Sequence, residues 1–124
     1  MKVKFHSGDP AAKALNMTMK SHTPEACHSM TDVRRGVDAL DAEIVRLIGL
    51  RFRYMDAAAR IKPEREAVRD EARKAEVLRN VVAHARAADA PEAAVAELYE
   101  RLIEASIAYE FHRFDEMRAA AQES

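Results

Sequence analysis

Apolar residues recur at Val33, Val37, Leu40, Ile44 and Leu47, in steps of four and three. That spacing keeps one face of an α-helix apolar. The next position of the stripe holds Arg51 instead of a hydrophobe, and the stripe resumes at Met55, Ala58 and Ile61 before Lys62. A charge on a core face is costly unless it is paired. The stripe therefore either meets a carboxylate of its own fold or borders a pocket built for an anion.

The same pattern sets the element boundaries. A first helix is expected from Thr31, an N-cap with Asp32 in the first turn, to Lys62. Pro63 ends it, because proline disfavours helix in the residue before it. A charged loop follows over residues 63–69. Asp70 is a good N-cap for a second helix over residues 71–88, with Val77, Leu78, Val81 and Val82 on its apolar side. Asp89, Pro91 and Glu92 signal a third start. The third helix runs to about Ala120, with Val95, Leu98, Leu102, Ala105 and Tyr109 as its stripe. Residues 1–29 have no periodicity and are expected to form a flexible N-terminal tail; residues 30–120 are expected to be one helical domain.

A helix over residues 31–62 would be about 48 Å long at the α-helical rise. A compact monomer of 124 residues has a radius of gyration of about 14 Å and a diameter of roughly 35 Å. The helix is too long for such a globule, and Val37, Leu40 and Ile44 would stay uncovered. The economical remedy is a second copy, each long helix lying along its partner in an entwined homodimer.

Composition narrows the class. Ala, Glu, Arg and Leu dominate, Trp is absent, and Gly and Pro are scarce, so an all-α fold of three helices is expected. The formal net charge is −1, with 20 Lys and Arg against 21 Asp and Glu. The two signs interleave, which argues against a nucleic-acid surface. One cysteine, Cys27, excludes an internal disulfide framework and suits a reducing compartment. The N-terminus lacks a signal-peptide pattern, and no stretch approaches the roughly 20 apolar residues of a membrane span. A cytoplasmic location without membrane association is the expectation.

Several residues are candidates for chemistry. Arg51 and Lys62 are 11 residues apart, which is three turns plus about 20°, so they share a face. Two long side chains can converge on a small ligand between them. Arg34 lies 17 residues before Arg51, about 25 Å along the axis. It cannot reach the same ligand within one chain, but it can enter a partner's pocket in an antiparallel dimer. Arg73 falls in the first turn of the second helix. Ser106 and Glu110, at i and i+4, share a face of the third.

Each has a plainer explanation. Asp38 and Asp41 offer Arg34 a surface ion pair. Arg51 can form a structural bridge with Glu110. Lys62 at a helix C-terminus suits the dipole, Arg73 lies among Asp70, Glu71 and Glu76, and Ser106 is a small residue for a helix contact. The five histidines show no paired metal spacing, and neither a Gly-rich phosphate loop nor a nucleophile motif is present. No metal or cofactor is implied.

The stretch TDVRRGVDALDAEIVRLIGLRFRYMDAAARIK resembles the first helix of the all-helical chorismate mutases and the related isochorismate pyruvate lyases. Their pattern is an arginine near the helix start, an aliphatic-Asp core, an arginine in mid-helix and a lysine near the end. Here these are Arg34, Val37-Asp38-Ala39-Leu40-Asp41, Ile44-Val45-Arg46-Leu47, Arg51 and Lys62. The resemblance covers residues 24–118 and implies an all-α entwined homodimer with two pockets, each taking an arginine from the other chain. It implies a small dicarboxylate substrate, with Arg34 binding a carboxylate in the partner's pocket and Arg51 one in its own. Lys62 would contact the ether oxygen and a carboxylate, and Asp70 a hydroxyl. Arg73 would be an additional arginine, and Ser106 a carboxylate contact. Glu110 stands where bacterial relatives often have Gln and fungal ones Glu. The residue after Arg73, often Glu in mutases, is Lys74 here.

The reaction so implied is the [3,3] rearrangement of chorismate to prephenate, in which a C–O bond breaks as a C–C bond forms. It calls for fixed cations that hold both carboxylates in reactive geometry and donors at the ether oxygen, Lys62 and Glu110. Glu donates only when protonated, so activity is expected to fall as pH rises, with Glu110→Gln flattening the profile. Two alternatives stay open. The TPEAC segment resembles the N-terminal stretch of the lyases, which make salicylate and pyruvate, although Asp70 and Glu110 lean toward a mutase. A non-catalytic helical dimer is the other.

Overall fold

The computed structural model describes residues 23–123. Among them the chain is all-α, with a 3-10 turn at Pro24–Ala26, then α1 (Met30–Ile61), a second 3-10 turn at Arg65–Ala67, α2 (Glu71–Ala87) and α3 (Glu92–Glu123). Of the expected tail, residues 1–22 lie outside the described residues. No described helix is long and apolar enough to cross a membrane.

The local signals account for the boundaries, with one correction. Ser29, not Thr31, caps α1: its Oγ accepts from the Asp32 N–H at 3.2 Å and its carbonyl from the Val33 N–H at 3.2 Å. Asp32 then turns back to accept the His28 N–H at 3.1 Å. This is a capping-box arrangement shifted one residue outward. Asp70 caps α2 as expected, accepting the Arg73 N–H at 3.0 Å. Asp89 ends the turn after α2 with φ 56°, a left-handed conformation that Asp tolerates better than most residues. Pro91 then opens α3, its carbonyl taking the Val95 N–H at 3.0 Å.

The chain divides between Leu50 and Arg51 into two units, although α1 runs unbroken through the division. In the first, Met30, Val33, Val37, Leu40, Ile44 and Leu47 are all exposed, Ile44 by 50%. In the second, the end of α1, the loop, α2 and α3 build a core around Ala59, Val68, Ile103, Ile107 and Phe114. Val77, Leu78, Phe111 and Met117 pack against it.

The buried face of α3 is displaced from the expected stripe. Ile103, Ser106, Ile107, Glu110 and Phe114 are buried, whereas Leu98 is 68% exposed. This helix carries apolar residues on two faces, and periodicity alone does not say which one its own chain covers.

Three arginines tie the loop after α1 to α3. Arg118 donates to the Lys62 carbonyl at 2.6 Å and lies over the Phe114 ring at 4.0 Å. Arg65 grips Asp115 at 2.9 and 3.2 Å and lies over Phe111. Arg69 grips Glu104 at 2.8 and 3.2 Å. With Val68 buried at the loop's end, the segment between Lys62 and Asp70 has little freedom.

Candidate active site

A cavity of about 330 Å³ opens within the second unit. Arg51 reaches it from α1 and Lys62 from the residue just after that helix, Asp70 from the N-cap of α2 and Arg73 from its first turn, and Ser106 and Glu110 from α3. Six of the seven residues singled out in the sequence thus share one wall system. The seventh, Arg34, is exposed, lies in the first unit, and makes no ion pair with a described residue, so the bridge to Asp38 or Asp41 does not form. Lys74 also lines the cavity, and Met55, Val68, Val77 and Ile107 give it apolar walls.

The pairing within the site is specific. Glu110 is only 4% exposed, and the Lys62 ammonium lies 2.7 Å from its Oε2. That contact is an ion pair and not an aligned hydrogen bond, since Oε2 has no hydrogen-bond partner. The Lys62 ammonium also donates to the Val68 carbonyl at 3.5 Å. The alternative bridge between Arg51 and Glu110 is therefore absent. Instead, Arg51 Nη1 donates to Ser106 Oγ at 2.7 Å, and its guanidinium carbon stands 5.9 Å from the Tyr99 ring centroid. Ser106 Oγ donates in turn to the Leu102 carbonyl at 2.7 Å.

The remaining lining cations are neutralised outside the cavity. Arg73 pairs with Glu76. The Lys74 ammonium contacts Glu100 at 2.5 Å and Glu104 at 3.0 Å. Those carboxylates, Glu100 first, raise the Lys74 pKa. Hydrogen bonds from Arg69, then Lys74, hold the Glu104 carboxyl at about 2. Among the described residues, Arg51 is thus the one lining cation without a carboxylate partner. Its charge is available to a ligand, and the lining offers no nucleophile aligned with a base. What the arrangement can do is bind an oxyanion, orient it, and place the Lys62–Glu110 pair beside it.

Sequence reasoning missed Tyr99 and the pairing of Lys74 with Glu100 and Glu104. It also missed a cluster behind the site, in which Asp56 Oδ1 accepts from the Tyr109 hydroxyl at 2.8 Å and Arg113 Nε at 3.0 Å. The Tyr109 bond, then Arg113, lowers the Asp56 pKa. The i, i+4 spacing of Tyr109 and Arg113 was a visible signal; their partner on α1 was not.

Within an all-α fold, the cavity joins an arginine without a carboxylate partner among the described residues to a lysine–glutamate pair, an arrangement suited to an anion. The family model for chorismate mutase type II matches residues 33–111. An isochorismate pyruvate lyase of Pseudomonas aeruginosa is 34% identical over 101 residues, which cover 80% of this chain and 98% of the relative. The chain belongs to the type II chorismate mutase family.

Proposed function

We propose that this protein is a chorismate mutase, converting chorismate to prephenate in a pocket completed by a second copy of the chain. The observation that carries the reading is Arg51. It is a half-buried guanidinium with no carboxylate partner among the described residues, beside a cavity that also holds Lys62 and Glu110. Arg51 takes one substrate carboxylate. Lys62, already at the cavity wall, donates to the ether oxygen as the C–O bond breaks and negative charge grows there. Glu110 holds the Lys62 ammonium at the cavity wall as its counter-ion. The apolar walls exclude water and keep the enolpyruvyl arm folded over the ring. Asp70 uses one oxygen to cap α2 and offers the other to a ring hydroxyl.

The second copy is inferred from the exposed row on the first unit, from Met30 to Leu47. Covering such a row contributes on the order of 1 kcal/mol or more per side chain. An antiparallel partner would also carry its Arg34 to the cavity and supply the second cation that a dianion needs.

The similarity to an isochorismate pyruvate lyase favours a second reading, in which the same cations hold isochorismate and release pyruvate from it. The presence of Asp70 and Glu110 in the cavity supports the mutase. Purified protein given chorismate and isochorismate in parallel tests both. Prephenate from chorismate is the expected product, and salicylate with pyruvate from isochorismate alone would replace the first reading with the second. Neither product would leave an inert helical dimer, for which Arg51→Ala should be harmless or stabilising.

A further inference from the structure

We propose that Arg118 is a positioning residue for the reaction: from α3 it holds the backbone of Lys62, so that the lysine head stands at the cavity wall before a ligand arrives. The inference deepens the reading in which Lys62 donates to the ether oxygen, and it rests on that reading.

Lys62 is the first residue past α1. Carbonyls at the end of a helix have no partner within it, and Pro63 keeps α1 from continuing. The Lys62 carbonyl finds its partner 56 residues away, where Arg118 Nη2 donates to it at 2.6 Å. A guanidinium has donors and no acceptor, so the heavy atoms alone fix the direction of this bond. The contact also brings a cation to the negative end of the α1 dipole.

Arg118 is itself held. Its guanidinium carbon lies 4.0 Å from the Phe114 ring centroid, a cation–π distance, and Phe114 belongs to the buried core. Glu110, Phe114 and Arg118 follow one another in steps of four, so they form one stripe of α3. That stripe takes Lys62 at both ends. Arg118 holds its carbonyl, and Glu110 lies 2.7 Å from its ammonium. The Lys62 N–H is fixed from the α1 side by the Ala58 carbonyl at 2.9 Å. A lysine stem is long and flexible, so a fixed root limits where the head can go. The limit matters because a misplacement of about 1 Å can cost on the order of a hundredfold in rate. Arg118 is not among the cavity's lining residues, so it acts on a ligand through the lysine it holds.

The test uses the full chain and two readouts. The first is kcat and KM on whichever of chorismate or isochorismate the wild type turns over. The second is amide exchange over residues 62–70 in the ligand-free protein, followed by mass spectrometry. Arg118→Met keeps an apolar stem on Phe114 and removes the donor. It should speed exchange over residues 62–70 and lower kcat by about tenfold, with KM changed less than about twofold, since Lys62 acts where charge grows only in the transition state. Arg118→Lys, one atom shorter but still a donor, should keep kcat within about threefold of the wild type. Asp56→Ala removes the partner of Tyr109 and Arg113, a link between α1 and α3 away from Lys62. It should leave kcat within about twofold, which separates positioning from general loosening. An unchanged kcat in Arg118→Met would overturn the inference. So would a loss carried by KM alone, or an equal loss in Arg118→Lys or in Asp56→Ala. If Arg118→Met does not fold, Arg118→Gln, whose arm is two atoms shorter than arginine, replaces it with the same outcomes. Failure of the functional reading shows separately, as a wild type inactive on both substrates, and the exchange experiment still decides whether Arg118 holds the segment.

Discussion

Lys62 and Glu110 show how strongly single residues are committed in this site. The glutamate is buried, and among the described residues its one close cation is the Lys62 ammonium. Removing one member of a buried pair costs more than the pair itself contributes, because the other charge is left behind. Lys62→Met should therefore destabilise the protein by about 3 kcal/mol, and Lys62→Met with Glu110→Gln should recover most of that loss in denaturant unfolding. In activity, Arg51→Ala should reduce kcat/KM on the substrate by at least about a hundredfold, since a charge-assisted carboxylate contact is lost in the transition state.

At the scale of elements, the site depends on how α2, α3 and the loop after α1 are tied together. Glu104 is central, joined to Arg69 of the loop and Lys74 of α2. Its carboxyl is held at about 2, against an ordinary value of 4.5, by Arg69 first and Lys74 second. A depressed carboxylate contributes stability that is present above its unfolded-state pKa and lost as pH falls through the folded one. Thermal stability should therefore fall between about pH 4.5 and pH 2, and Glu104→Gln should flatten that limb of the stability profile. The solvent exposure of the network limits its size. Asp56 obeys the same sign, since Tyr109 and then Arg113 lower its pKa. Asp56→Ala should cost about 1 kcal/mol of stability, measured by denaturant unfolding.

At the scale of the whole molecule, the proposed second copy rests on the uncovered row from Met30 to Leu47. Light scattering is expected to return twice the mass of 13.9 kDa. A mixing experiment tests the proposed sharing of the pocket directly. Arg34→Ala and Arg51→Ala should each be inactive alone. Mixed by unfolding and refolding, they should regain about a quarter of wild-type activity, because half the dimers are mixed and each mixed dimer holds one intact pocket. No recovery would confine Arg34 to a role outside the pocket.

The helices and much of the site were legible in the chain itself. Hydrophobic spacing placed α1 and α2 to within a residue at their ends, Pro63 and Asp70 marked the loop, and the interval from Arg51 to Lys62 put two cations on one face. These are local properties, set by the α-helical period and by capping chemistry within a few residues. Pairing was different. That Glu110 would meet Lys62 and not Arg51, that Arg51 would meet Ser106 and Tyr99, and that Lys74 would turn to Glu100 and Glu104 was decided by packing between helices distant in sequence. So was the choice of which apolar face of α3 to bury. A periodic pattern names a face, but the axial offset and rotation of one helix against another decide which side chain of that face meets which partner.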